Sequence, residues 1–338
     1  MEKHLKVSII IPFFNAAGYL RRCLESVLNQ DLDRYEVICV NDGSTDGSLA
    51  IAEEYAEAYP AVRVFSQPNG GLSNARNNGM KLAVGEYLMF ADADDYIERN
   101  VLGKLYQACA GYRLDMLDLR VTIADGNNTF SMYPEASATT EVSDGRSYFT
   151  GFIARFGKQP FVSAWSHMYR RKFLAENGLE FIDGRKYEDL VFTAAAYIRA
   201  KAVMYLDLPV YNYVKSEGSI TTSGITPAHF TDMQFMAREI SRLSEAEGIR
   251  IPMDTFFSGI RNQVITAMKL GKWKEYRDLF DRKLFRKTVF HLYRPAFRII
   301  KPLAVFSNSV FILYCRLMLV VKQLRHKGGL RNYIYEKR

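Results

Sequence analysis

Through residue 120 the chain alternates short apolar runs with helical patterns, and few folds accept that order. "KVSIIIPFF" (6–14), "YEVICV" (35–40), "VRVFS" (62–66) and "EYLMFA" (86–91) read as strands. Between them, "AGYLRRCLESVLNQ" (17–30), "LAIAEEYAEAY" (49–59) and "SNARNNGMKLAV" (73–84) read as helices, the first with Leu20, Leu24, Val27 and Leu28 at helical spacing. Such a βαβαβαβ order predicts an α/β fold with a parallel sheet covered by helices on both faces. Ligands bind beyond the carboxyl ends of the strands in these sheets. Pro12–Asn15, Asn41–Asp46 and Asp92–Asp95 fall at those ends, so three polar loops are expected to meet at one crevice.

Beyond residue 120 the pattern loosens. Residues 121–150 read as an irregular insertion or edge hairpin, 187–200 as a helix opening on two acids, and "VMYLDLPVYNYV" (203–214) as two short strands. "VSAWSHMYRRKFLAENG" (162–178) is helical in its second half, and from 227 onward helices dominate. The cysteines Cys23, Cys39, Cys109 and Cys315 lie far apart and form no CxxC pair, which argues against a disulfide framework or a zinc site. The apolar run before Pro12 is too short for a signal-peptide core, so a cytoplasmic protein is expected.

"FADADDY" (90–96) crowds three carboxylates into four positions. Like charges that close repel unless a cation lies between them. If the strand pleat continued, Asp92 and Asp94 would share a face, and their hard oxygens would suit Mg²⁺ or Mn²⁺. The alternative is a solvated loop capping the next helix. "VNDGSTDGS" (40–48) offers Asp42 either to the N3–H of uracil or thymine, or to an Asx-type turn. "PNGGLSNARNNG" (68–79) sets a glycine pair and Arg76 at a helix start, which suits an anionic ligand. It matches neither a GxxxxGK[ST] nor a GxGxxG loop. "YEDL" (187–190) supplies a general base or merely a charged first helical turn. Trp165 is either a sugar platform or a core residue.

Together "VSIIIPFFNAAGYLRRCLESVLNQ", "EVICVNDGSTDGS", "PNGGLSNARNNGM", "GEYLMFADADD" and "YEDLVF" resemble the family 2 glycosyltransferases of the GT-A fold, over about residues 5–220. The resemblance implies transfer of a sugar from a nucleotide-diphosphate donor, here a UDP-sugar, with inversion and a divalent metal. By position, Asp42 would bind uracil and Arg76 would lie on the nucleotide side, with Pro12, Asn15, Asn69 and Ala93 completing the donor set. Asp94 and Asp92 would hold Mn²⁺ or Mg²⁺, Asp189 would be the base with Glu188 beside it, and Trp165 would lie near the acceptor. "EGSIT" (217–221) resembles a segment that closes over the diphosphate, placing Ser219 there. Asn41 replaces an acid common in the family, and Val214 and Ser216, with Lys215 between them, stand where many relatives carry arginines. The fold so implied is a mixed, mainly parallel GT-A sheet flanked by helices, with a helical C-terminal extension. Its catalytic domain would span 1–225, divided into a nucleotide half (1–120) and an acceptor half (121–225), and the extension 226–338.

The net charge of +8 is unevenly placed: residues 269–338 hold 18 Lys/Arg against 4 Asp/Glu, net +14, leaving −6 elsewhere. "PLAVFSNSVFILYCRLMLVVKQLRHK" (302–327) is apolar and flanked by basic residues. By length a spanning helix is possible, since about 20 residues cross a bilayer. Arg316 lies inside it, however, at a cost of about 2.5–3.5 kcal/mol. A helix lying on an anionic membrane surface is expected, with peripheral contact through 296–327 at the inner face of the cell membrane. A packed terminal bundle is the alternative. A lipid-linked acceptor would explain such contact, and the resemblance implies a glycan or lipid-linked saccharide acceptor in surface or exopolysaccharide biosynthesis. The rival functions are a sugar nucleotidyltransferase, for which "PFFNAAGYL" lacks a basic residue, and a nucleic-acid scaffold, which the aliphatic stripes disfavour.

Overall fold

The computed structural model describes residues 4–126, 128–131, 141–156, 162–215 and 226–285, with Leu313 and Cys315. They fall into two compact units: Met1–Phe152 with Gln159–Ser223, and Ile153–Lys158 with Gly224–Arg338.

The first unit is built on one sheet. Strands β1 (Val7–Phe13), β2 (Tyr35–Asn41), β3 (Val62–Ser66) and β4 (Tyr87–Phe90) pair in parallel in the order β3-β2-β1-β4. Helices α1 (Leu20–Leu28), α2 (Ser48–Ala58) and α3 (Leu72–Leu82) connect them, as the alternation predicts. β1 and β4 are buried along their whole length, which is why they read as unbroken apolar runs. The helix–sheet spacing is set by glycine. A Cβ on Gly79 of α3 would fall 2.4 Å from Ile10 Cγ2, and one on Gly85 would fall 2.5 Å from the Ser8 backbone nitrogen.

Past β4 the sheet becomes mixed. β8 (His167–Arg170) runs antiparallel between β4 and β6 (Met116–Asp125), and β6 pairs in parallel with β9 (Val203–Val214). β5 (Tyr96–Ile97) and β7 (Asn128–Ser131) add short antiparallel pairs with β9 and β6. This is the mixed α/β fold that the sequence implies, with three local differences. Residues 203–214 form one strand, not two. The register against β6 slips between Leu119 and Val121, so the chain bulges around Pro209, which cannot donate to a ladder. The stretch 121–150 holds, besides the β6–β7 hairpin, the start of helix α5 (Gly145–Phe156). Its turn-like "SDGR" opening is the helix start, where the Ser147 N–H donates to Asp144 Oδ1 at 2.9 Å. Gly145 is required because its backbone lies against the Tyr197 carbonyl, 1.8 Å from where a Cβ would be. Helix α4 (Leu102–Tyr112) follows β5, and α6 (Arg171–Glu176) and α7 (Asp189–Arg199) lie between β8 and β9.

The second unit holds α8 (Pro227–Ala246), α9 (Asp254–Lys269) and α10 (Trp273–Arg277). Thr226 caps α8: its hydroxyl accepts from the His229 N–H, the His229 ring accepts from the Thr226 N–H, and Pro227 starts the first turn. Phe230, Met236, Phe256, Phe257 and Phe285 form its core. Among the described residues no helix is long and apolar enough to cross a membrane.

Candidate active site

The parallel register brings the ends of β1, β2 and β3 level: Phe13 pairs with Asn41, and Asn41 with Ser66. The loops that follow are stitched together by side chains. The Asn15 N–H donates to Ser44 Oγ (3.0 Å), and Asn15 Oδ1 accepts from the Thr45 N–H (2.8 Å). Ser48 Oγ accepts from the Ala16 N–H (2.7 Å). Asn15 itself has φ 50° and is exposed beside Phe14, which is 50 % exposed. Pro12 is buried in β1. Asn41 accounts for its own departure from the usual acid: its Oδ1 accepts from the Ser44 N–H (2.9 Å) and its amide donates to Ser66 Oγ (3.3 Å).

Asp42 is buried and holds the glycine turn. Its carboxylate accepts from the Gly70 and Gly71 N–H groups and from Gln67 Nε2, each at 2.8 Å. No Asx-type turn forms on Asp42: Asn41 accepts the Ser44 N–H in that loop, and Asp42 fastens the glycine turn of the neighbouring one. Two of the accepted hydrogens fall on Oδ1 and one on Oδ2, and a carboxylate accepts about four, so Oδ2 keeps room for one more donor. Asn69 is exposed, its backbone packed against Gly43.

The acid loop divides its three carboxylates. β4 ends at Phe90, and a turn closes with the Asp95 N–H on the Asp92 carbonyl (3.0 Å). The pleat does not continue, so strand alternation does not set the facing of Asp92 and Asp94. Asp95 turns inward. It is 1 % exposed and accepts from Tyr211 Oη and the Val214 N–H, both at 2.8 Å. Burial first, and then the neighbouring Asp92, push its carboxyl up to about 8. Ala93 is buried, while Asp92 and Asp94 stay partly exposed. Helix α1 steadies this loop, with Arg22 donating to the Asp94 carbonyl and Cys23 Sγ to the Asp92 carbonyl at 3.6 Å. Tyr211 Oη accepts from the Asp92 N–H at 3.0 Å.

Glu188 and Asp189 open α7, next to Tyr187 with φ 65°. A non-glycine residue held there stores strain on the order of 1–3 kcal/mol, a feature that clusters at functional sites. Arg76 of α3 is 1 % exposed and reaches both acid motifs. One terminal nitrogen donates to Glu188 Oε1 and the other to Asp92 Oδ1, each at 2.7 Å, and its guanidinium lies 5.3 Å over the Phe181 ring. The structure thus closes on Arg76 two carboxylates that are 96 positions apart in sequence. Burial raises Glu188, and Arg76 opposes that rise. Burial, and then Glu188, push Asp189 up to about 7, again with Arg76 opposing. Both acids thus hold their protons more tightly than free carboxylates, and as close neighbours they titrate as a coupled pair.

Trp165 lies in a short 3₁₀ turn (Ala164–Ser166), 5 % exposed, stacked on Tyr211 at 4.4 Å and on Tyr213 at 5.7 Å. It abuts the acid loop through Tyr211, and its stacking partners are protein side chains. Ser219 and the "EGSIT" segment lie outside the described residues, as does most of 286–338.

Among the described residues no group of three or more His, Cys, Asp or Glu forms a complete metal cage. Asp92 and Asp94 still fit a divalent cation by the chemistry of the set. They are hard oxygen donors, and both contribute to the rise at Asp95, so the loop is a region of negative potential. Sequence reading missed Arg22, Cys23, Tyr211 and Asp95 as supports of this loop. Only the run "DADD" signalled any of them.

Residues 8–178 match the model of the family described as "Glycosyl transferase family 2". The chain belongs to this family. It is 34 % identical over 229 residues to the "Uncharacterized glycosyltransferase YibD" of Escherichia coli, covering 65 % of this chain and 64 % of that one. It is 32 % identical to the "Cholesterol galactosyltransferase" of Borreliella burgdorferi, covering 72 % and 69 %. The match thus spans just under two thirds of the E. coli relative's length. The fold is similar to that of S. aureus TarS 1-349 in complex with UDP-GlcNAc, with TM-score 0.67 and 22 % identity over 96 % of this chain and 92 % of that one.

Proposed function

We propose that this chain is an inverting glycosyltransferase that moves a sugar from a UDP-sugar to a hydroxyl of a glycan or lipid-linked acceptor. One observation carries the reading: the acid loop expected to hold a metal and the acid pair expected to hold a base meet at one buried guanidinium. Family membership and the fold shared with a UDP-GlcNAc complex support it.

In this reading Asp42 accepts the uracil N3–H on Oδ2, and Pro12, Asn15, Asn69 and Ala93 line the donor side. The exposed Phe14 ring offers a face on which a base can stack. Asp94 and Asp92 are the residues that would hold Mn²⁺ or Mg²⁺, which when bound neutralises charge on the departing diphosphate. Asp189 takes the proton of the acceptor hydroxyl as that oxygen attacks, and desolvation, with Glu188 beside it, keeps the proton affinity of Asp189 near neutrality. A single displacement needs one base on the acceptor side, and this pair supplies it. Trp165 forms part of the acceptor wall, and Ser219 would approach the diphosphate.

The test is calorimetric binding of UDP to the full chain with and without Mn²⁺. Metal-dependent binding is the expected result. Absence of UDP binding under both conditions sinks the donor assignment.

We also propose peripheral attachment to the inner face of the cell membrane through the basic segment 296–327, within an extension running from 226 to 338. The net +14 of residues 269–338 supports it. The full chain should sediment with anionic vesicles at low salt and be released at high salt, while neutral vesicles leave it in solution. Equal behaviour with both vesicle types removes the proposal.

A further inference from the structure

The family resemblance sets Arg76 on the nucleotide side, as a cation waiting for phosphate. Its surroundings differ from what that role needs. Arg76 is enclosed, with 1 % of its surface exposed, and both terminal nitrogens already meet carboxylates at 2.7 Å. Its Nε–H has no hydrogen-bond partner and is buried. Its guanidinium lies over Phe181, on the chain that leads to Glu188 and Asp189.

The next residue on α3 strengthens the same junction. Asn77 is buried and pairs twice with one backbone unit: its Nδ2 donates to the Phe181 carbonyl and its Oδ1 accepts from the Phe181 N–H, both at 2.9 Å. Nδ2 also reaches Asp183 Oδ1 at 3.2 Å, and Asn74, one turn earlier, reaches Asp183 Oδ2 at 3.4 Å. Three side chains of α3 therefore hold the segment 181–188, while Arg76 also holds Asp92. A salt bridge alone at such a site would be weak evidence for stability, because desolvating both charges costs much of what their attraction returns. Geometry is what it supplies, since a planar guanidinium forks two carboxylates into a fixed separation.

From this arrangement we infer that Arg76, with Asn77, is a positioning residue that sets the base-bearing segment 181–189 against the acid loop, and is not a ligand of the diphosphate. The inference rests on the reading of Asp189 as the base. It adds that donor side and acceptor side are kept in one alignment by α3, with Arg76 acting through Glu188 and Asp92. The separation of the reacting groups matters because rate falls steeply with small misplacements.

The experiment compares Arg76→Lys and Arg76→Gln in the full chain by calorimetry with UDP and with uridine in the presence of Mn²⁺, and by the pH profile of UDP release from a UDP-sugar that the wild type turns over. A positioning role predicts UDP affinity within about threefold of wild type for Arg76→Lys, with turnover down on the order of 10²-fold, the loss a misplacement of about 1 Å can produce. It also predicts that the acid limb of the profile moves to higher pH in Arg76→Gln, because removing a cation beside Glu188 and Asp189 raises their proton affinity. The lysine, which keeps the charge, should restore the limb but not the turnover. A diphosphate ligand predicts the reverse: UDP affinity collapses, uridine affinity holds, and the limb stays in place at saturating donor. That pattern overturns the inference. If Arg76→Gln does not fold, the lysine variant still separates the two outcomes by affinity against turnover. Loss of UDP binding in the wild type itself would count against the function proposed above, and is read before either variant.

Discussion

Asp189→Asn should bind UDP with Mn²⁺ as the wild type does and lose sugar transfer by about 10²–10⁴-fold, the range that a positioned general base contributes. The asparagine is nearly isosteric and keeps the start of α7, so the donor side, on other loops, is left intact. The pH dependence follows from the same group. Asp189 is pushed up to about 7 and must be ionised to take a proton, so wild-type kcat/KM should rise through pH 7 and flatten above it. Stability should move the opposite way. The folded state holds the Asp189 proton more tightly than the unfolded chain does, where an aspartate titrates near 3.9. The favourable contribution is therefore complete below about pH 4 and is lost as pH rises through about 7. Asp189→Asn removes that desolvated charge, so the variant should melt higher than wild type at pH 8 and much less so at pH 5. Unchanged turnover in the variant, measured at saturating donor, would refute the base assignment. Equal melting shifts at the two pH values would refute the account of its proton affinity.

The second large effect is expected at the acid loop. Asp94→Asn should abolish the Mn²⁺-dependent part of UDP binding, a loss larger than the 10–100-fold that follows removal of a partner merely supporting a metal ligand. The fold should survive, because Asp94 is partly exposed and the loop is anchored by Asp95, Tyr211, Arg22 and Cys23. Asp95→Asn makes the contrast. Asp95 is enclosed and accepts from Tyr211 and Val214, so its substitution should lower the melting temperature first and disturb UDP binding through the loop's shape. Calorimetry paired with thermal unfolding on both variants separates the roles. Metal-dependent UDP binding that persists in Asp94→Asn would show that the loop's exposed acids serve another purpose.

The strands and helices up to Phe90 were legible because burial on both faces leaves continuous apolar runs, as in β1 and β4, and helices between them keep a one-sided stripe, as in α1. The motif acids were legible for a related reason: loops at strand ends carry the chemistry, and little else explains polar residues crowded there. α5 was hidden because Gly145 and Gly151 weaken the helical pattern, and the reason for Gly145 is the Tyr197 carbonyl, which no local window contains. The bulge in β9 was hidden because Pro209 reads as a strand break. Only its partner β6 shows the chain resuming its ladder past it.

By itself, then, the sequence determined the parallel half of the sheet, the loops that bear acids, and the family, since each depends on residues close together in the chain. The tertiary structure decided which acid does what. "DADD" holds chemically identical side chains, and only packing against Tyr211 and Val214 turns Asp95 inward while Asp92 and Asp94 stay partly exposed. Likewise Arg76 reads as an open cation until Glu188 arrives from 112 positions away and Asp92 from 16. The charge of a residue is written in the chain, but whether that charge is free to meet a ligand depends on burial and on partners, and those exist only after folding.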